Sequence, residues 1–188
     1  MEDGCRQLIV MCGTTGSGKS TVAELLSSQL GSPIFVADAV RRDLAGGKIN
    51  GRMKYSKVMT RITYKNLMEG VEDEFMRGKD SIIVDGTFLR RWQRRLAKIT
   101  ANRCHAQLIV ISCEATNPRK LGRLTKRRDT FSGPRQLRRR ILIHHTRVYE
   151  KVLASEANKL FVVNNNRNKQ YLSMRLSNIS KLFPKADV

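Results

Sequence analysis

A glycine-rich octapeptide, residues 13–20 with the sequence GTTGSGKS, constrains this chain more than any other feature. It stands between an apolar run, residues 8–12, and a segment with helical periodicity, residues 21–30. This order of strand, loop and helix suits an anion, because glycines let backbone N–H groups turn toward a phosphate and the helix amino end adds its positive dipole. The octapeptide therefore predicts a site for a nucleoside triphosphate.

The pattern also assigns roles within this loop. Lys19 is expected to reach the β and γ phosphates, and Ser20 is expected to offer its hydroxyl to a magnesium ion that bridges the same two groups. ATP and Mg²⁺ are therefore the predicted cofactors. The predicted nucleotide-binding residues of the loop are Gly13, Thr14, Thr15, Gly16, Ser17, Gly18, Lys19, Ser20 and Thr21.

Short apolar strands alternate with helical segments along the rest of the chain. The predicted strands are residues 8–12, 34–37, 81–84, 108–112 and 160–163. Strands that are apolar throughout are typical of a parallel sheet buried on both faces. We expect an α/β fold in one domain, residues 1–188: a five-stranded parallel sheet covered by helices on both faces, with ligands at the carboxyl ends of the strands.

The charge of the chain is unusual. Lys and Arg number 36 against 16 Asp and Glu, a formal net charge of +20. Residues 90–147 hold 17 of the basic residues and only two acidic ones, Glu114 and Asp129. Such a field attracts polyanions and predicts a nucleic-acid partner. The alternative is a solvated basic face without a specific partner, and a membrane is disfavoured because no helix pairs a basic face with a large apolar one.

The four cysteines, at positions 5, 12, 104 and 113, show no C-x-x-C spacing. Buried free thiols and a reducing compartment are expected, with the cytoplasm as the default location. The chain opens without the pattern of a secretory signal, and no apolar stretch approaches the roughly 18 residues that a membrane span requires.

Two classes of nucleotide-binding protein are disfavoured by their missing motifs. The nearest string to the guanine-reading N-K-x-D, residues 158–161, ends in Phe161 instead of aspartate. Asp85, at the end of the third predicted strand, is followed by Gly86 and not by the glutamate that activates water in motor ATPases. The chain instead resembles the small-molecule and polynucleotide kinases among P-loop proteins, and this resemblance implies that Asp85 holds the magnesium through its water shell.

A D-x-x-R string, Asp38 to Arg41, follows the second predicted strand. It is similar to the acceptor motif of phage-type polynucleotide 5'-kinases and of the bacterial ATP-binding proteins that share their kinase fold. The resemblance implies that Asp38 takes the proton from the attacking hydroxyl and that Arg41 holds a neighbouring phosphate. Both roles suit the chemistry of a carboxylate and a guanidinium.

The basic segment at about residues 115–150 resembles the helical lid of these kinases. It contains an R-x-x-x-R string, Arg123 and Arg127, whose side chains share one face of a helix. The resemblance implies that the lid closes over ATP and that these arginines contact the transferring phosphate, with Arg128 as a substitute for Arg127. It also places the loop after the fifth strand beside the adenine, which makes Asn165 a candidate contact.

The leading hypothesis from the sequence is an ATP-dependent kinase that phosphorylates the 5'-hydroxyl of a DNA or RNA end. We expect Arg90 and Arg91, together with Arg94 and Arg95, to form a basic track beyond the third strand that binds the anionic backbone of the nucleic acid. One alternative is a kinase for a small molecule such as a sugar, a nucleotide sugar or an antibiotic, although a neutral acceptor leaves the charge unexplained. Another is a nucleic-acid-binding protein with a non-catalytic nucleotide site.

Overall fold

A computed structural model describes residues 6–46, 56–126, 135–166 and 169–181. Five strands form one sheet in which every neighbouring pair is parallel, in the order β2-β3-β1-β4-β5. The strands are β1 Gln7–Cys12, β2 Ile34–Val36, β3 Ser81–Asp85, β4 Gln107–Glu114 and β5 Lys159–Asn164. The predicted parallel α/β sheet is confirmed.

Helices connect the strands and cover the sheet. They are α1 Lys19–Leu30, α2 Ala37–Leu44, α3 Lys57–Met76, α4 Arg91–Arg103, α5 Asn117–Lys126, α6 Arg135–Val148 and α7 Lys169–Ser180, with a short 3-10 turn at Ala154–Glu156. The predicted strand boundaries agree with the observed ones to within two residues. One difference bears on function: β2 ends at Val36, so Asp38 lies in the first turn of α2 and not at the end of a strand.

The two faces of the sheet bury separate cores. Alternate side chains of a strand point to opposite faces, so Leu8 and Val10 of β1 pack with α3 and α4, while Ile9 and Met11 pack with α1 and α7. All six residues of β1 are buried. This explains why residues 8–12 of the strand are all apolar, since a strand with helices on both sides has no face left for water.

The strand register brings three carboxyl ends together. Met11 of β1 pairs with Asp85 of β3, and Asp85 pairs with Val36 of β2. Neighbouring strands lie about 4.8 Å apart, so Val36 lies about 10 Å from Met11 across the sheet. The glycine-rich loop, Asp85 and the first turn of α2 therefore share one edge of the molecule.

Within the part of the chain that the structure describes, no helix combines the length and the apolar character needed to cross a membrane.

Candidate active site

The glycine-rich loop connects β1 to α1 in a conformation that only glycine adopts easily. Gly13 has a φ of 138° and Gly18 a φ of 90°. A Cβ atom at Gly13 would lie 2.5 Å from the carbonyl oxygen of Cys113, and one at Gly18 would lie 1.9 Å from Asn165 Nδ2. The motif glycines are thus required both by backbone torsion and by close neighbours.

The loop contains polar atoms whose bonding is incomplete. Lys19 is almost buried, and its Nζ donates to the carbonyl oxygen of Thr14 at 3.0 Å. Thr14 Oγ1 and Ser17 Oγ are buried without a hydrogen-bond partner among the described residues. Buried polar groups nearly always have partners, so a buried ammonium beside two unsatisfied hydroxyls fits a site built for a polar anion such as a polyphosphate.

Asn165 braces this loop from outside. Its Nδ2 donates to the carbonyl oxygens of Ser17 at 3.1 Å and Gly18 at 3.3 Å. Its own backbone N–H donates to the backbone carbonyl oxygen of Glu114 at 2.7 Å. In a trans peptide the carbonyl and the next N–H point in opposite directions. Holding these two carbonyls on the outside therefore turns the N–H groups of Gly18 and Lys19 away from Asn165, toward the interior of the loop.

Arg123 is hydrogen-bonded to both the loop and Asn165. Its guanidinium donates to the carbonyl oxygen of Gly16 at 3.2 Å, and to the backbone and side-chain oxygens of Asn165 at 2.7 and 3.1 Å. Burial and the charge of Arg119 lower the pKa of Arg123. The structure places both Arg123 and Asn165 at the phosphate-binding loop. Contact of Arg123 with a transferring phosphate and of Asn165 with adenine stay predictions.

The predicted lid is described only in part. Its segment contains α5, with Arg123, and α6, and the two helices pack against each other. Arg138 of α6 donates to the carbonyl oxygen of Leu124 at 2.7 Å. Arg127 and Arg128 lie outside the described residues, so the second lid arginine stays a prediction.

The predicted magnesium ligands lie at the same edge. Asp85 is buried at the end of β3, beside Met11, and Ser20 lies in the first turn of α1. Among residues 6–46, 56–126, 135–166 and 169–181, no group of three or more His, Cys, Asp or Glu could hold a metal ion. One hydroxyl and one carboxylate fit Mg²⁺, which is commonly held by few protein ligands together with substrate phosphates and water.

Asp38 and Arg41 form an ion pair on the first turns of α2. Arg41 Nη1 donates to Asp38 Oδ1. The two ends differ in exposure, since the Arg41 side chain is 7% exposed and the Asp38 side chain 53%. The guanidinium is therefore buried, while about half of the Asp38 side chain remains accessible to solvent.

Buried Tyr64 is hydrogen-bonded to the segment that contacts the phosphate-binding loop. Its hydroxyl accepts from the backbone N–H of Phe88 at 3.1 Å and lies 3.2 Å from Thr87 Oγ1, and the Thr87 carbonyl accepts from the Gly13 N–H at 3.0 Å. Burial raises the pKa of Tyr64, on which the charges of Arg41 and Asp38 also act. Tyr64 is thus two hydrogen bonds from Gly13, through Thr87.

The prediction that Arg94 contributes to the basic track for a nucleic acid is wrong. Its guanidinium is fully buried, donates to both carboxylate oxygens of Glu156 at 2.5 and 3.2 Å, and donates to the Phe88 carbonyl at 2.8 Å. Arg90 forms a partly exposed ion pair with Glu150 at 3.0 Å. The Arg91 side chain is exposed at the start of α4. Substrate binding by Arg90 and Arg91 stays a prediction.

The sequence reasoning missed His145 of α6. Its Nδ1 atom is buried without a hydrogen-bond partner among the described residues. Burial lowers the pKa of His145 to about 3, and the charges of Lys19, His144 and Arg41 act in the same direction. The imidazole of His145 is therefore neutral at pH 7. No local signal marked it, because it lies in an arginine-rich helix whose buried face depends on tertiary packing.

A parallel sheet in this order, with a phosphate-binding loop after the central strand and a carboxylate at the end of the neighbouring one, is the fold of P-loop kinases. The chain belongs to a family described as AAA domain, which matches residues 8–152. No curated protein matches the chain in sequence.

Solved structures agree on the fold. The chain is similar to a sugar kinase from Janibacter sp. HTCC2649, with 19% identity, a TM-score of 0.68 and coverage of 97% of this chain and 99% of that one. APS kinase CysC from Mycobacterium tuberculosis, in complex with AMPPNP and APS, has 14% identity, a TM-score of 0.66 and coverage of 94% and 98%. Kti12 from Chaetomium thermophilum, in complex with ADP-AlF3, has 15% identity, a TM-score of 0.67 and coverage of 95% and 100%.

These comparisons confirm the prediction of a P-loop kinase fold, and two of the three structures hold a nucleotide. The narrower prediction, a polynucleotide 5'-kinase, stays a prediction.

Proposed function

We propose that this chain is an ATP-dependent phosphotransferase that moves the γ-phosphate to a hydroxyl of a small anionic acceptor. The observation that carries the proposal is the Asp38–Arg41 pair, which stands at the sheet edge that also holds the phosphate-binding loop. A half-exposed carboxylate next to a buried guanidinium offers a proton acceptor and an anion clamp side by side.

The nucleotide half of the site is formed by the loop and α1. Lys19 and the inward N–H groups of the braced loop bind the phosphates, and their charge stabilises the phosphoryl group as it transfers. Ser20 and Asp85 would hold Mg²⁺. Bound there, the ion would neutralise charge that develops between the β and γ phosphates.

The acceptor half is formed by α2. The acceptor hydroxyl oxygen attacks the γ-phosphorus, the bond from that phosphorus to the β–γ bridging oxygen breaks, and ADP leaves. Asp38 takes the hydroxyl proton. Arg41 binds the anionic group of the acceptor and so fixes the hydroxyl relative to the carboxylate, which reduces the entropy cost of reaching the reactive geometry.

A small acceptor is favoured by the structural relatives, which include a sugar kinase and an APS kinase crystallised with APS. A second candidate acceptor is the 5'-hydroxyl of a DNA or RNA end. The net charge of +20 favours this acceptor, since the release of counterions when a basic surface binds a polyanion increases the affinity. The burial of Arg94 removes one cation from that surface and leaves the exposed arginines of α4 and α6 to support this candidate.

The test is transfer of label from γ-labelled ATP in magnesium to a panel of acceptors: anionic and neutral sugars, nucleotides, and 5'-hydroxyl DNA and RNA oligonucleotides. Asp38→Asn is expected to lower the transfer rate about 100-fold to 10,000-fold. Asp43→Asn, on the exposed side of the same helix, is the matched control and should keep the native rate.

Three outcomes separate the candidates. Label on anionic sugars or free nucleotides, and not on neutral sugars or oligonucleotides, supports the small anionic acceptor, and label on oligonucleotides alone supports the second candidate. Nucleotide binding without label on any acceptor, and with Asp38→Asn indistinguishable from the native chain, contradicts a kinase and favours a nucleic-acid-binding protein with a non-catalytic nucleotide site.

A further inference from the structure

The glycines of the phosphate-binding loop leave its backbone a freedom that the loop itself does not remove. Gly16 and Gly18 both have positive φ angles, 77° and 90°. Glycines that permit this conformation also permit others, because a residue without a Cβ atom has few steric limits. A peptide that flips beside Gly18 would turn a carbonyl oxygen, instead of an N–H, toward a bound phosphate. An external contact that favours one form of the loop therefore raises its affinity for phosphates.

Asn165 makes such a contact from the turn after β5. The residue is buried, and its Nδ2 donates to the carbonyl oxygens of Ser17 and Gly18. The turn is fixed to the sheet, since the backbone N–H of Asn165 donates to the carbonyl oxygen of Glu114 in β4. The loop is thus held by an amide whose own position is set by the sheet.

Arg123 determines which way this amide faces. A guanidinium only donates hydrogen bonds and a backbone carbonyl only accepts them. Because Arg123 Nη2 donates to Asn165 Oδ1 at 3.1 Å, the amide nitrogen faces the two loop carbonyls, at 3.1 and 3.3 Å. Both hydrogens of the amide then have acceptors within the loop, which leaves none to donate to a ring nitrogen of adenine.

The helix that carries Arg123 lies directly on the loop. Arg123 Nη1 donates to the Gly16 carbonyl at 3.2 Å, and a Cβ atom at Gly16 would lie 2.9 Å from the backbone carbonyl oxygen of Lys120. The segment before α5 is bound to the same turn, since the Thr116 N–H donates to Asn166 Oδ1 at 2.9 Å. The loop, α5 and the turn after β5 are therefore joined by direct contacts.

We propose that Asn165 and Arg123 are positioning residues that hold the loop in its phosphate-binding form, and that they act on the polyphosphate of a nucleotide and not on its base. The inference rests on the proposed function, since it needs a polyphosphate at Lys19. Without the two bonds from Asn165, fewer chains have a competent loop, and the apparent Kd rises in inverse proportion to that fraction. One hydrogen bond is worth a factor of about 2 to 10 in an equilibrium constant, so the loss of two predicts a rise of roughly 4-fold to 100-fold.

Isothermal titration calorimetry of the full chain with Mg²⁺ and either AMPPNP or inorganic tripolyphosphate, which carries no base, tests this inference. Asn165→Ala is expected to weaken the binding of both ligands by about the same factor. Asn164→Ala is the matched control and should keep both affinities, because Asn164 is exposed and its side-chain oxygen accepts from Asn166 in the same turn.

A double variant tests the role of Arg123. Arg123→Lys keeps the positive charge and loses the planar fork that contacts the loop and Asn165. It should weaken the binding of both ligands, and the double variant with Asn165→Ala should bind about as weakly as the weaker single variant, because both residues act on one loop conformation. Losses that add in full would contradict this role and favour a direct contact of Arg123 with a phosphate.

The remaining outcomes separate the inference from the proposed function. A loss in Asn165→Ala that is confined to AMPPNP overturns the inference and favours an adenine contact. Native binding of AMPPNP without binding of tripolyphosphate also overturns it, since the phosphates then contribute too little affinity for the loop to control. Failure of the native chain to bind AMPPNP sinks both proposals. Phosphate-specific losses as expected, with no label on any acceptor in the transfer assay, refute the proposed function alone.

A measurement on the native chain decides the question if Asn165→Ala does not fold. The side-chain amide signals of Asn165 are followed by NMR in complexes with AMPPNP and with tripolyphosphate. Equal signals in the two complexes support the inference, and a change that occurs only with AMPPNP overturns it.

Discussion

The buried pair of Arg94 and Glu156 offers a sharp test of how this site is supported. Arg94 is fully buried, and Glu156 neutralises it with two hydrogen bonds. The third bond of the guanidinium goes to the carbonyl of Phe88, in the segment whose Thr87 carbonyl accepts from Gly13. The pair therefore links α4 to the loop that follows Asp85.

The magnitudes follow from burial. Glu156→Gln leaves a buried guanidinium without a counter-charge, and removing one partner of a buried pair costs about 3–5 kcal/mol. Burial alone would lower the pKa of Arg94, but its bonds to Glu156 outweigh this effect and raise it, so the guanidinium stays charged. Arg94→Met costs less, about 1–3 kcal/mol, because the Glu156 side chain is 16% exposed and reaches water, and the main loss is the donor to Phe88.

Urea unfolding of both single variants and of the double variant measures these free energies. The double variant is expected to be more stable than Glu156→Gln alone, since it removes the unpaired charge. Glu150→Gln is the control: it breaks a partly exposed pair with Arg90 and should cost under about 1 kcal/mol. If Glu156→Gln is as stable as the native chain, then Arg94 is not held as a buried charge and the reasoning fails.

Three further predictions concern the loop, the histidine and the thiols. Gly18→Ala should abolish AMPPNP binding in equilibrium dialysis, because the added Cβ would overlap the side-chain amide of Asn165. Gly31→Ala is the control: no atom lies within 4 Å of the added Cβ, so this variant should keep binding and lose only about 1 kcal/mol of stability. In the unfolded chain His145 binds a proton below its ordinary pKa of 6.5, whereas in the folded chain its pKa is about 3 and the ring stays neutral between pH 6 and 4. Over this range the free energy of unfolding of the native chain should therefore fall, as the pH falls, about 1.4 kcal/mol per pH unit more steeply than that of His145→Gln. Burial raises the pKa of Cys12 to about 11 and of Cys113 to about 12, so neither thiol should react with iodoacetamide at pH 8 before unfolding, as peptide mass spectrometry would show.

The sequence predicted the sheet and the phosphate-binding loop because both are determined locally. A run such as Leu8 to Cys12 is apolar at every position and therefore has to be buried on both faces. The motif glycines are required locally by their positive φ angles, whereas the atoms that a Cβ would meet, in Cys113 and Asn165, come from distant segments. The order of the strands gives Asp85 its place beside the loop, in agreement with the position expected from the motif.

The sequence could not reveal contacts between distant segments. Arg94 was grouped with its exposed neighbours because its partner, Glu156, lies 62 residues away. Asn165 reaches across 148 residues to the carbonyl of Ser17, a contact that no periodicity indicates. His145 lies in a helix of many cations, and only the packing of that helix decides that its nitrogen is buried.

A crystal structure of the chain with AMPPNP and Mg²⁺ tests the central claim most directly, through the distance from the Asp38 carboxylate to the γ-phosphorus. An attacking oxygen about 3–3.5 Å from phosphorus, hydrogen-bonded to the carboxylate at about 2.6–3.2 Å, requires a separation near 6 Å. We predict this distance, with the γ-phosphate bound by Lys19. A carboxylate more than about 10 Å away, in a complex with α5 and α6 ordered over the nucleotide, would contradict the proposed phosphoryl transfer.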